Sequence, residues 1–275
     1  MPVVINCQDM NRRKFVGSSL LSGPILGSLL PGNSGAAFME NKKNKQQWYE
    51  LRTYMHTSAA QQQLTSSYLE QAYLPALNRA GIQNVGVFTE FQPQGIGKMF
   101  LLIPFDSLES FAAINARLAT DPAYITSGEA YLSAPPASPA YDRIESSLLR
   151  AFVHMPVLEA PEKKERLFEL RRYESPSESA GQKKIGMFNN AGEIDIFKKV
   201  GARPVFFGEA IIGERRPNLT YMLCFDNMEA HDAHWKAFGS DPEWKKISSM
   251  PEYSDAKLIS KIVRTFITPT AYSQL

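Results

Sequence analysis

Tyr49-Glu50-Leu51-Arg52-Thr53-Tyr54 comes back as Phe168-Glu169-Leu170-Arg171-Arg172-Tyr173, 119 residues later. Further landmarks keep nearly that spacing. Phe88-Thr89-Glu90 aligns with Phe207-Gly208-Glu209, Phe105-Asp106 with Phe225-Asp226, and Asp121-Pro122 with Asp241-Pro242. A long offset held through unlike segments is the signature of a duplicated unit. Within each copy the quoted hexapeptide alternates. Tyr49, Leu51 and Thr53 share one face, and Glu50, Arg52 and Tyr54 share the other, as on a strand.

The first copy continues with a helical stretch over about 59–79, which Pro75 kinks or restarts. Two strand-like runs, 85–91 and 99–105, follow around the Gly- and Pro-containing loop 92–97. Asp106 with Glu109 reads as the cap of a second helix whose inward stripe is Leu108, Phe111, Asn115 and Leu118. A looser segment containing Pro135-Pro136-Ala137-Ser138-Pro139 leads to a last strand at about 148–154. The second copy repeats the order, with strands at 168–173, 205–212, 219–225 and 262–268 and helices near 179–200 and 227–238. Matching Arg150-Ala151-Phe152-Val153 with Arg264-Thr265-Phe266-Ile267 implies that the second copy lacks much of the proline-rich insertion.

The order β-α-β-β-α-β is the ferredoxin-like arrangement, with an antiparallel sheet and both helices on one face. Such a sheet should be wet on its other face and its strands should alternate. Met99–Phe105 and Leu219–Phe225 are instead apolar almost throughout, so something covers the second face. The expected fold class is α+β, two tandem ferredoxin-like domains whose sheets face each other as an intrachain dimeric α/β barrel. The alternative is two independent domains, each pairing with another chain through the same surface. The expected boundaries are a leader over 1–37, a polar tether over 38–46, domains at 47–156 and 167–275, and a charged linker at 157–166.

The leader reading rests on Asn11-Arg12-Arg13-Lys14-Phe15, the apolar run Gly17–Leu30 and the small-residue site ending at Ala37. Paired arginines resemble a twin-arginine export signal, which implies an extracytoplasmic location. Fourteen residues containing Pro24 are too short to span a bilayer of about 30 Å. Met1 and Met10 both remain as starts. Cleavage after Ala37 removes Arg12, Arg13, Lys14 and Asp9, leaving 238 of 275 residues with 27 basic and 27 acidic side chains, from 30 and 28. This balance, with no basic cluster beyond Lys42-Lys43-Lys45, argues against a nucleic-acid partner. Cys224 is then the lone cysteine and has no disulfide partner.

These residues resemble the NIPSNAP family, whose domain has the dimeric α/β-barrel fold. The resemblance is carried by the two quoted hexapeptides, by Asn218-Leu219-Thr220-Tyr221 and by Phe238-Gly239-Ser240-Asp241-Pro242-Glu243-Trp244. It implies a fold and no established reaction. Family members are discussed as trafficking or interaction proteins, and the wider superfamily contains small-molecule monooxygenases and haem-handling enzymes.

Chemistry is expected on the polar face of the first strands. If the sheets face each other, Glu50, Arg52, Glu169 and Arg171 look into the space between them, with Glu90 and Glu209 at equivalent positions beside them. One reading is a polar lumen binding a small ligand, with a carboxylate as proton acceptor. The other is symmetric Glu–Arg pairs that fix the register between the copies. His231 falls on the inward stripe of its helix with His234 three residues on. Two histidines without a third ligand at known spacing are weak evidence for a metal, and a hydrogen-bonded core histidine is the simpler account. His56 and His154 read as surface residues. No phosphate loop, zinc pattern, nucleophile elbow or axial-ligand motif singling out haem is present, and the cofactor stays open. The resulting expectation is an exported small-molecule-binding or interaction module. The rival is a periplasmic oxygenase or isomerase acting in the pocket between the sheets. A small-molecule ligand and a homo-oligomer are the candidate partners.

Overall fold

A computed structural model describes residues 45–275; the leader, most of the tether and Cys7 lie outside the described residues. Eight strands appear in chain order: β1 (Trp48–Met55), β2 (Gly86–Glu90), β3 (Met99–Phe105), β4 (Arg143–Ala151), β5 (Leu167–Glu174), β6 (Arg203–Ile212), β7 (Asn218–Phe225) and β8 (Lys261–Pro269). They close into one antiparallel barrel in the order β1-β3-β2-β8-β5-β7-β6-β4. Each half contributes a four-stranded ferredoxin-like sheet. The two sheets are joined by hydrogen bonds at both edges, β2 to β8 and β4 to β6. Closure occurs within one chain, so no strand edge of the barrel is left to template another sheet.

The apolar runs now have their explanation. Every residue of β3 and of β7 is buried. Leu101, Ile103, Tyr221 and Leu223 pack outward under helices, whereas Leu102, Met222 and Cys224 pack into the barrel. Tyr49, Phe88, Leu149, Phe168, Phe206 and Ile267 fill that interior at its closed end, together with Leu275 from the tail.

Around half one lie α1 (Ala59–Tyr68), a π-helical turn (Leu69–Tyr73) and α2 (Leu74–Arg79), then α3 (Leu108–Leu118) and α4 (Pro122–Leu132). Pro75 has no N–H for the preceding turn, and the π-turn just before it absorbs the mismatch, so the expected restart occurs there. Ser107, not Asp106, caps α3: its side chain accepts from the Ser110 N–H. The inward stripe of α3 is Phe111, Ile114 and Leu118, while Leu108 and Asn115 are exposed. Helix α4 replaces part of the expected loose segment. Asp121 caps it and Pro122 occupies its first turn.

Half two carries α5 (Glu178–Asn190), α6 (Glu193–Lys199), α7 (Met228–Ser240), α8 (Pro242–Ser248), a 3₁₀ turn (Pro251–Tyr253) and α9 (Asp255–Leu258). The single helix expected over 179–200 is broken at Gly192, whose φ of 90° belongs to the left-handed region that glycine adopts most cheaply. Strand β4 starts earlier than expected. Tyr49 pairs with Leu149 and Phe168 with Ile267, so the last strands correspond at an offset of 118, not 114. Half two does not lack the segment before its last strand; it spends it on α8, the 3₁₀ turn and α9.

Candidate functional site

The polar face of the first strands does not look into the barrel. Tyr49 and Leu51 pack inside, and Tyr54 packs with the helices. By alternation Glu50 and Arg52 also lie under the helices. Glu169, Arg171 and Tyr173 are placed the same way in half two. The expectation that these four charges meet across a lumen is therefore corrected, and so is their reading as ties between the copies. Each pair is local to one strand: Arg52 forks onto Glu50, with Nη2 to Oε2 at 2.9 Å, and Arg171 Nε lies 3.2 Å from Glu169 Oε1.

The two nests differ. In half one Ser146 donates to Glu50 at 2.8 Å, and the Arg52 guanidinium lies 5.2 Å from the Tyr73 ring centroid. Tyr68 stacks on Tyr131 at 3.8 Å, and its hydroxyl meets that of Tyr124 at 2.8 Å. In half two the fully buried Glu169 accepts from Trp235 Nε1 at 2.9 Å and lies 3.3 Å from His231 Nε2. His231 Nδ1 faces Asp232 at 2.8 Å, and Arg171 sits 4.0 Å from the Trp235 ring centroid. His231 is thus a satisfied core histidine. Burial alone would lower the pKa of Arg171, but Tyr221, Tyr173 and Glu169 more than offset it and raise it. The guanidinium stays charged at any accessible pH. Among the described residues no group of three or more His, Cys, Asp or Glu is placed to hold a metal.

This network pins α7 to the sheet through Trp235 and His231. Half one has Asn115 and Phe111 there and no such pin. A second buried cation, Lys184, lies 3.4 Å from Glu193 and within 6 Å of the Tyr173, Phe188 and Trp244 rings. None of the cavities described below is lined by Glu169, His231 or Lys184.

Glu90 and Glu209 are not equivalent. Phe88 pairs with Phe100 and Gly208 with Thr220, so the second strands correspond at an offset of 120. A register one residue off reverses every side chain. Glu90 lines the interior of the barrel at its open end, where its carboxylate accepts the Lys98 N–H at 2.9 Å. Glu209 lies outside, bonded to Arg150 at 2.7 Å and to Gln182. His56 is buried rather than at the surface, with Nε2 3.1 Å from Thr65 Oγ1. Thr65 donates to the Ala140 carbonyl, so its oxygen accepts from His56 Nε2–H and leaves Nδ1 buried without a partner. Burial holds the His56 pKa below 6.5. His154 is exposed.

Of the cavities among the described residues, two adjoin the barrel at its seam and its open end. The larger, about 540 Å³, lies at the β2–β8 seam. Phe91, Leu167, Met228, Pro269 and Ala271 give it an apolar wall, and Lys163 and Lys164 stand at it. Met228 is the first residue of α7, so the buried pin of Glu169 on that helix also sets one wall of the cleft. Glu165, Arg166 and Asp226 also line it, and Asp226 is shared by three cations: Lys164 at 3.3 Å, Arg166 at 2.8 Å and Arg203 at 2.8 Å. The second cavity, about 260 Å³, is the open end of the barrel, a polar cup reached by Glu90, Glu145, Arg172 and Thr220. The sequence reading placed Lys163 and Lys164 in a solvated linker and missed the cleft, which exists only once the tail folds back along β2. It also passed over Arg172, although that residue shares the Phe168–Leu170 face and stands where half one has Thr53.

Residues 168–274 match the NIPSNAP family model. The match begins one residue into β5 and covers half two. A NIPSNAP family protein of unknown function from Agrobacterium tumefaciens str. C58 is 18% identical over 40% of this chain and 92% of its own, with a TM-score of 0.34. Two solved structures follow both halves. A proposed monooxygenase from Lactobacillus acidophilus NCFM is 8% identical, covers 82% of this chain and 94% of its own, and has a TM-score of 0.55. One from Fusobacterium nucleatum subsp. nucleatum ATCC 25586 is 9% identical, covers 81% and 92%, and also scores 0.55. At such identities the likeness concerns the fold: an α+β dimeric α/β barrel, here built from a single chain. No functionally curated protein matches the chain in sequence. No helix among the described residues is long and apolar enough to cross a membrane.

Proposed function

We propose that this NIPSNAP-domain protein is an exported binding module for a small organic molecule with an apolar body and an anionic group, held in the seam cleft. One observation carries the reading: a cavity of about 540 Å³ whose wall is largely apolar and whose charged lining, Lys163, Lys164 and Arg166 against Glu165 and Asp226, has a cation in excess. A well-formed apolar pocket of several hundred Å³ with a few polar groups is what small-ligand sites share. An anionic head at Lys163 and Lys164 would gain charge-assisted bonds while its body leaves water. Export rests on Arg12-Arg13 ahead of the apolar run Gly17–Leu30.

The test uses a fluorescent amphiphile, 11-(dansylamino)undecanoic acid, titrated into the protein. Emission should rise saturably and should fall away in Ala271→Trp, which fills the cleft from an exposed position that needs no core repacking. Undiminished binding by that variant would overturn the site, and no binding by the parent would overturn the ligand class. Export is tested separately by N-terminal sequencing of protein secreted by a bacterium with twin-arginine machinery; a mature end after Ala37 is expected, and Arg12→Lys/Arg13→Lys should leave the precursor inside. The rival oxygenase reading has one observation in its favour, the descriptions of the two full-length structural neighbours. It expects substrate-dependent oxygen consumption.

A further inference from the structure

The duplication allows the chain to be compared with itself. The ladders pair Thr53 with Glu145 and Phe100 in half one, and Arg172 with Val263 and Thr220 in half two. Position by position, then, Thr53 corresponds to Arg172, Glu145 to Val263 and Phe100 to Thr220. The same ladders match Tyr49 with Phe168 and Leu149 with Ile267 at the closed end of the barrel, where both halves stay apolar. The interior has therefore kept its chemistry at one end and lost its two-fold likeness at the other. Packing alone gives no reason for this. A symmetric cup would close a barrel equally well.

The cup carries charges of both signs from both halves: Glu90, Lys98 and Glu145 from half one, and Arg172, Glu214 and Arg215 from half two. Glu145 projects from β4 of half one and has no ion-pair partner among the described residues. Arg172 projects from β5 of half two. Its Nε and Nη2 are held by Glu174 at 3.1 and 2.8 Å, which leaves Nη1 free. Arg215, from the β6–β7 loop, adds a second cation on the same side, and that loop is tied to the cup by Asn218, whose amide donates to the Glu214 and Arg215 carbonyls. The cup thus offers an open carboxylate and an open guanidinium edge within one polar lining. Its volume of about 260 Å³ is room for roughly nine waters at about 30 Å³ each, which suits a compact ligand and not a polymer.

We propose that the open end of the barrel binds a small zwitterion, a molecule with an ammonium and a carboxylate a few bonds apart such as a free α-amino acid. The ammonium meets Glu145 of one half and the carboxylate meets Arg172 and Arg215 of the other. This site is separate from the seam cleft, and neither proposal depends on the other. A ligand bridging both halves would meet two groups left open by the protein itself, the Glu145 carboxylate and Nη1 of Arg172.

The experiment is a thermal-shift screen of the full-length protein against each common free L-α-amino acid at millimolar concentration, followed by calorimetric titration of the best binder. Its N-acetyl and amide derivatives, which each remove one charge, and glucose, which has none, serve as comparisons. Binding of the zwitterion is expected to weaken about tenfold or more in either derivative, as loss of one charge-assisted bond implies. Glu145→Gln, at an exposed position, should discriminate against the amine, and Arg172→Met against the carboxylate; Glu209→Gln, outside the barrel, should change neither. If no amino acid shifts the melting temperature, or if glucose and the derivatives bind as well as the parent zwitterion, the proposal is overturned. It is equally overturned if Glu145→Gln leaves the best binder's affinity unchanged while the variant melts as the parent does.

Discussion

Replacing Glu169 with Gln tests whether the first-strand charges are structural. Glu169 is fully buried and meets three groups: Arg171 at 3.2 Å, His231 at 3.3 Å and Trp235 at 2.9 Å. Glutamine keeps the volume, and its amide oxygen still accepts from the indole. What it removes is the charge opposite a guanidinium whose side chain is 10% exposed. Breaking a buried pair from one side costs roughly 3–5 kcal/mol, because the other charge is left behind. Arg171 keeps its stacking on Trp235 and its 3.4 Å contact with the Tyr221 hydroxyl, so the low end, about 3 kcal/mol, is expected. With a urea m-value of about 2–3 kcal/mol/M, the midpoint should fall by about 1–1.5 M. Glu169→Gln/Arg171→Met, which removes both charges, should recover much of that loss. The assay is urea unfolding followed by Trp fluorescence and circular dichroism. A midpoint within about 0.3 M of the parent, a fifth to a third of the shift that follows from the m-value, would show the pair not to be structural, as would a double variant less stable than the single one.

Three further outcomes follow. Glu209→Gln breaks a surface pair in which Arg150 is 46% exposed, so its cost should be no more than about 1 kcal/mol by the same assay. The Cys224 thiol is pushed up to about 11 by burial; iodoacetamide at pH 8 should therefore leave it unlabelled in peptide maps of the native protein and label it in denaturant. For His56 the folded pKa lies below 6.5, so the folded state binds fewer protons than the unfolded one. Its contribution to stability is complete above pH 6.5 and is lost as pH falls through the folded value. Melting temperatures measured down the acid limb should drop less steeply in His56→Gln, and an NMR titration should find the imidazole titrating below 6.5.

Much of the architecture was legible because it rests on periodicity. The alternation in Tyr49–Tyr54, the unbroken apolar runs of β3 and β7 and the repeated hexapeptide are enough to imply two sheets covering each other. What alternation does not carry is a sign. Both faces of these sheets are covered, one by helices and one by the opposite sheet, and Glu50 with Arg52 could satisfy each other under either. The one-residue slip between Glu90 and Glu209 has the same root: between β1 and β2 the offset between halves rises from 119 to 120, and in a strand a single residue exchanges inside for outside. Helix α4 was missed because only Tyr124 and Gly128 are fully buried on it, too sparse a stripe to read, although Asp121-Pro122 had marked its start. The cleft and the cup were illegible for another reason. Each is made by side chains from segments far apart in sequence, and no local pattern announces which of them meet.

If the seam receives a small molecule while the Glu–Arg nests only hold helices to the sheet, a bound amphiphile belongs in the cleft. A crystal structure of the protein with the dansyl amphiphile should show its chain along Leu167, Met228 and Pro269 and its carboxylate at Lys163 and Lys164. Ligand lying instead between the sheet and α7, beside Glu169 and His231, would contradict it.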